Sequence, residues 1–445
     1  MLETETPSRK RQRRAADVTG LRLGRAVLAY LVAITAIITL APFRFAGAPV
    51  HGLTDIWTWT DVVMNVLMFV PIGFVFQLTR PAGAAVQWTR VLTLGLFLSG
   101  CIEVVQLFAE TRFSSLIDLA TNTAGALLGA WCYAVVLKRI EGPSAVRTLA
   151  LELPLMGLVY LLIPLMWLIG LASNGGSRAW LVLPIVAFAG GILGTIYAAY
   201  LEPQRHVPRW WLLLASVGWC LVSLLPGAIR DRDLILACIA MVISSAWLRS
   251  LATGRYRDEG GPRRFEIPTL RLMMPLYAAY LGFSSLWPLD AADLTWRGTF
   301  ALIPSADAGM TEIFVALEHV AAFTLVGYLI AEFHGRDLAR YRQIAARVLF
   351  CSTLLTMLLE GARGLHPAYH ASVLMVAFTI GASVLGGWLY QLQRDHVRAL
   401  LTRRTAYAPS AVVASLPAAD GAPMRGAAAS PPTSNDPGEL VLSVP

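Results

Sequence analysis

Apolar residues run through this chain in twelve long stretches, centred near residues 34, 69, 99, 126, 160, 189, 218, 241, 279, 322, 351 and 381. They do not alternate apolar with polar, and they approach the length of about 20 residues that a helix needs to cross a bilayer core. Backbone polar groups in that setting must be satisfied within the segment, so long apolar runs read as helices rather than a barrel. The pattern predicts an all-α, polytopic integral membrane protein of about 12 transmembrane helices.

The polar stretches divide the chain. RYRDEGGPRRFE, from Arg255 to Glu266, lies between the eighth and ninth runs and is the natural boundary. Four helices are expected over 21–140, four without a readable motif over 149–251, a charged linker over 252–269, and four more over 270–393. Residues 1–20 are charged and polar, and 405–445 are rich in Ala, Pro, Ser and Gly without a period. Both ends are expected to be disordered.

Composition points the same way: only 14% of residues are charged and mean hydropathy is +0.60, against about 25% charged in soluble domains. The basic stretch RKRQRR before the first run suggests a signal peptide, but the run is long and no small-residue cleavage site follows, so it reads as a retained anchor. Of the 36 lysines and arginines, only Arg44, Arg112, Arg178, Arg230, Arg232, Arg297 and Arg363 fall on one side of a twelve-span topology. Basic residues collect on the cytoplasmic side, so both termini are expected there, in a cell inner (cytoplasmic) membrane. That asymmetry accounts for much of the +8 net charge, and no nucleic-acid partner is implied. The basic amino terminus suits contact with anionic lipid head groups or plain solvation. The five cysteines all lie inside apolar runs with no Cys-x-x-Cys spacing, which marks them as small packing residues rather than disulfides or metal ligands.

The candidate chemistry is the set of polar side chains inside the apolar runs, where each charged group costs roughly 2.5–3.5 kcal/mol at a helix centre unless it pairs or acts. Asn65 lies in NVLMFVPIG, and EVVQLFAETRFSSLIDLATNTAG carries Glu103, Gln106, Arg112, Ser115, Asp118 and Asn122. Glu103 and Gln106 are spaced i,i+3, while Asp61 and Asn65, and Asp118 and Asn122, are spaced i,i+4, so each pair shares a helix face. Gly125 and Gly129 continue the Asp118 stripe and let a neighbouring helix come close. In the expected topology these residues sit near the outer side, with Glu103 on the order of 10 Å below the edge.

This constellation resembles the VanZ-like family, named for a protein linked to teicoplanin resistance. The resemblance rests on Asn65, Phe69, Pro71 and Gly73, then Glu103 and Gln106, Arg112 and Ser115, and finally Asp118, Asn122, Gly125 and Gly129, and covers about residues 25–140. It implies a role in cell-envelope biology, reduced antibiotic (teicoplanin) susceptibility included, without naming a reaction or a cofactor.

The chain also repeats. An offset of 257 residues carries Glu103, Gly129, Trp131 and Tyr133 onto Glu360, Gly386, Trp388 and Tyr390, and one of 254 carries Phe69 and Gly73 onto Phe323 and Gly327. A second, degenerate VanZ-like unit near 270–393 is expected, as in transporters built from repeats. Where the first unit has Asn65, Gln106, Arg112, Asp118 and Asn122, the second has His319, Arg363, Tyr369, Met375 and Thr379. Arg363 stands three residues from Glu360, within reach along one helix face.

Three readings of the polar layer stay open. In a structural clasp, Arg112 pairs with Glu103 or Asp118 while the amides stitch helices together. In a binding site, Asn65, Glu103, Gln106, Arg112, Asp118 and Asn122 hold the head group of a lipid-linked envelope precursor or a glycopeptide, with Arg112 on its anion. A transporter is a variant of that reading. In an enzyme, Glu103 and Asp118 are general acid and base acting on an envelope lipid or glycan, but no nucleophile–histidine arrangement accompanies them. His319, His366 and His370, beside Glu318 and Glu360, read as solvated side chains before they read as metal ligands.

Overall fold

The computed structural model describes residues 7–50, 52, 58–79, 85–139, 155–201, 207–258, 266–287, 295–300, 309–335, 341–367 and 369–405. Among them run α1 (Pro7–Leu40), α2 (Trp59–Leu78), α3 (Trp88–Gln106), α4 (Leu116–Arg139), α5 (Met156–Ser173) and α6 (Val182–Ile196). Then follow α7 (Arg209–Leu224), α8 (Arg232–Asp258), α9 (Glu266–Leu286), α10 (Met310–Gly335), α11 (Tyr341–Gly364) and α12 (Val373–Thr405). A two-residue parallel pairing of Gly298–Thr299 with Ala371–Ser372 is the sheet among the described residues.

Among the described residues ten helices have the length and hydropathy to cross a membrane, which makes the chain a multi-pass, all-α membrane protein. The two expected spans outside that set are α4 and α9. Their opening turns carry Asp118, Thr121, Asn122 and Thr123 in one case and Glu266, Thr269 and Arg271 in the other.

One expectation about the polar stretches is corrected. Helix begins at Pro7, so residues 7–20 are not an irregular tail, because the Lys, Arg, Gln and Ala there are good helix formers that prolong the apolar helix behind them. Of the charged linker expected over 252–269, α8 runs to Asp258 and α9 starts at Glu266, and residues 259–265 lie outside the described residues. Of the expected disordered ends, residues 1–6 and 406–445 lie outside the described residues. The chain divides into a unit of residues 1–403 and a terminal stretch, 404–445.

Packing follows side-chain size. α2 crosses α4 at three glycines: a Cβ added to Gly73, Gly125 or Gly129 would fall onto the backbone carbonyl of Ala126, Val66 or Val70. Only glycine lets the two backbones meet this way, as small residues do between membrane helices. α5 is apolar all round and nearly every residue in it is buried, the signature of a helix enclosed by others. It packs against α10 and α7 and stands at the centre of the unit.

Candidate functional site

Local sequence fixes each element of the polar layer before any tertiary contact. Thr58 and Asp61 form a capping box: the Thr58 hydroxyl accepts from the Asp61 amide at 3.2 Å while the Asp61 carboxylate accepts from the Thr58 amide at 3.0 Å. That starts α2 so that Asn65 follows Asp61 by one turn. The Ser115 hydroxyl accepts from the Ile117 amide at 3.1 Å, which helps start α4 and places Asp118 in its first turn.

Four helices then cross-link through side chains. Asn65 Nδ2 donates to Asp118 Oδ1 at 2.9 Å, joining α2 to α4. Asn122 Nδ2 donates to Ser99 Oγ at 2.9 Å, joining α4 to α3. Gln106 Nε2 donates to the Thr39 carbonyl at 3.0 Å, joining α3 to α1. Buried Glu103 accepts from the Ser115 backbone N–H at 2.7 Å, fixing the turn between α3 and α4.

Arg112 departs from the clasp that the sequence suggests. It forms no ion pair with Glu103 or Asp118. Its Nε donates to the Ala41 carbonyl at 3.0 Å and its Nη2 to the Ile38 carbonyl at 3.3 Å, at the carboxyl end of α1. The last carbonyls of a helix have no partner within the helix and carry its negative dipole end, so a cation there is favoured. Burial pushes the Arg112 pKa below the ordinary arginine value, and the guanidinium stays charged.

All six residues singled out from the sequence line one cavity of about 300 Å³. Asp61 joins them on the polar side. The opposite wall is apolar and comes from elsewhere in the chain: Leu171 at the end of α5, Pro226 in the short 3-10 turn after α7, and Met310 and Phe314 at the start of α10. The middle spans, which carry no readable motif, therefore close the cavity together with α10. Two buried acceptors on its polar side, Gln106 Oε1 and Asn122 Oδ1, have no hydrogen-bond partner. Each amide uses its donor end within the protein and leaves its acceptor end unused; flipping either amide would leave a donor unused instead.

The carboxyl-terminal helices place their residues in matching contacts. Glu360 accepts from the Ser372 N–H at 3.0 Å, as Glu103 does from Ser115. Thr379 meets Thr356 at 3.3 Å where Asn122 meets Ser99. A Cβ on Gly327 or Gly386 would strike the carbonyl of Ser383 or Thr324, as on Gly73 or Gly129 it would strike Ala126 or Val70. Tyr328 and Tyr390 stack edge to face at 5.6 Å, as Phe74 and Tyr133 do at 5.7 Å. Tyr369, at the place of Arg112, donates to the Trp287 carbonyl just past the end of α9.

The cations differ. Arg363 Nη1 reaches Glu360 Oε1 at 2.8 Å, the pair its spacing predicts, and its guanidinium lies 5.0 Å from the Tyr369 ring centre. Arg178 reaches Glu318 at 3.0 Å, and Tyr280 donates to the same carboxylate at 2.8 Å. His319 and His366 are buried rather than solvated. His319 Nδ1 lies 2.8 Å from the Val315 carbonyl, and its Nε2 lies 3.4 Å from Ser285 Oγ. Among the described residues no group of three or more His, Cys, Asp and Glu is arranged to hold a metal ion.

Residues 12–138, which contain all six of the cavity residues singled out from the sequence, match the family model described as VanZ/LLP1. No curated protein and no solved structure matches the chain.

Proposed function

We propose that the VanZ-like segment, residues 12–138, binds the polar head group of a cell-envelope component, a lipid-linked precursor or a glycopeptide, and so alters envelope properties, teicoplanin susceptibility among them. The observation that carries this reading is the single cavity of about 300 Å³ onto which Asn65, Glu103, Gln106, Arg112, Asp118 and Asn122 all open, with two buried acceptors left over. A purely structural clasp has no use for such atoms, since a buried polar group without a partner costs about 1–3 kcal/mol. A volume of this order is at the small end of ligand sites, enough for a head group. The asymmetry of basic residues supports placing the cavity toward the outer face of the cytoplasmic membrane. The matched contacts of the carboxyl-terminal helices support reading residues 270–393 as a second, degenerate unit.

The test compares cells making wild-type protein, Glu103→Gln or Asn122→Ala at matched membrane levels, reading teicoplanin susceptibility and the lipid and glycan composition of the envelope. Both variants are expected to lose the effect of the wild-type protein while remaining abundant. If both behave as wild type, the cavity is not a functional site. A changed lipid or glycan that disappears with Glu103→Gln and Asp118→Asn would assign the cavity to catalysis instead.

A further inference from the structure

We infer that the cavity in the VanZ-like segment takes a protonated amine or a guanidinium group, not an anion. This rests on the binding reading above and names the chemical class of its ligand.

The argument compares the two sets of helices. In the carboxyl-terminal set each buried carboxylate of the layer has a guanidinium: Glu360 has Arg363 at 2.8 Å and Glu318 has Arg178 at 3.0 Å. In the amino-terminal set the same layer holds Asp61, Glu103 and Asp118, and they accept from Thr58, from the Ser115 amide and from Asn65. None of those donors is a cation. The one guanidinium on the cavity, Arg112, directs its Nε to the Ala41 carbonyl and its Nη2 to the Ile38 carbonyl.

Three carboxyl groups therefore share a cavity with one arginine already committed to a helix end. Gln106 Oε1 and Asn122 Oδ1, on residues that are 7% and 3% exposed, add two acceptors without partners. Carboxyl groups thus outnumber the guanidinium on the cavity three to one, which makes it a place for positive charge. A phosphate would bring further negative charge to a cavity where three carboxyl groups already face one guanidinium.

The internal comparison shows what fills such a place. Gln106 corresponds to Arg363, which stands three residues after Glu360 as Gln106 stands three after Glu103. In the carboxyl-terminal set the chain supplies the cation from its own helix. In the amino-terminal set the equivalent position holds a neutral amide and the space is open. Gln106→Arg would place a guanidinium on Glu103 in the geometry of Arg363 on Glu360 and so occupy the site from within.

The experiment is calorimetric titration of the full chain, in a neutral detergent, with agmatine, cadaverine, 1-pentanol and inorganic phosphate. Agmatine and cadaverine are expected to bind saturably, pentanol and phosphate not to, and Gln106→Arg to weaken both amines at least tenfold. The probes alone test the inference in the wild-type chain, whether or not Gln106→Arg folds. Binding of phosphate or pentanol in preference to the amines overturns the inference and leaves the binding reading standing. Binding of no probe also overturns it, and the binding reading then falls only if Glu103→Gln and Asn122→Ala leave the cell phenotype unchanged. Repeating the agmatine titration in nanodiscs with and without phosphatidylethanolamine separates the sources of the amine. Competition by that lipid assigns the group to a membrane head group, and its absence to a soluble amine.

Discussion

Arg112 is the residue whose role changes most between sequence and structure, and replacing it discriminates between the two. Its guanidinium donates at 3.0 Å to Ala41 and at 3.3 Å to Ile38, two carbonyls at the carboxyl end of α1. A hydrogen bond from a charged donor contributes about 1.5–3 kcal/mol. The second bond is long and Arg112 is only half-buried, so the low end applies to each, and water reaches part of what is vacated. Arg112→Ala is therefore expected to lower stability by about 2–3 kcal/mol. Arg112→Lys keeps the charge at the helix end but loses the planar fork, and is expected to cost about half as much. The assay is equilibrium unfolding of the full chain in mixed micelles, followed by circular dichroism, with agmatine affinity measured on the same samples. Two results refute the reasoning: both variants within about 0.5 kcal/mol of wild type, or Arg112→Ala abolishing binding at unchanged stability. The second would mean that the guanidinium serves the ligand and not α1.

Other consequences are simpler. Gly129→Val has to push α4 away from the Val70 carbonyl, so a loss of more than about 3 kcal/mol is expected in the same unfolding assay. Gly282→Ala, with open space around the new Cβ, is expected to be neutral or to stabilise by up to about 1 kcal/mol. Glu318→Gln leaves the buried Arg178 without its carboxylate, and a cost of about 3–5 kcal/mol should show as reduced membrane abundance. Combining Glu318→Gln with Arg178→Gln should recover part of that loss.

Much of this molecule is legible from residue order alone, for physical reasons that differ by residue. Twelve apolar runs and the twelve helices among the described residues correspond because a bilayer accepts little besides helix. The six cavity residues stand out because a polar group in an apolar run has few reasons to be there. Their partners are another matter. The carbonyls that hold Arg112 and Gln106 belong to Ile38, Ala41 and Thr39, and a backbone acceptor leaves no mark in the sequence. Ser99, which receives Asn122, is one serine among many. The far wall was invisible for the opposite reason. Leu171, Pro226, Met310 and Phe314 are apolar residues in apolar surroundings, and nothing in their spacing says that they face a polar cavity. The helical start at Pro7 is hidden by the charge density of the stretch, although its Lys, Arg, Gln and Ala favour helix.

That borrowed wall has a consequence for any shorter chain built on the same plan. The polar half of the cavity lies within residues 12–138, but its lid is made by residues from 171 onward. A protein reduced to the first four helices would present its carboxylates along an open groove on its flank, in contact with acyl chains. It would have to recruit a neighbour, a second molecule of itself or the fatty tail of its own ligand, to shut water and lipid out. In the longer chain that closure is covalent, so the chamber forms whenever the protein folds and does not depend on how crowded the membrane is.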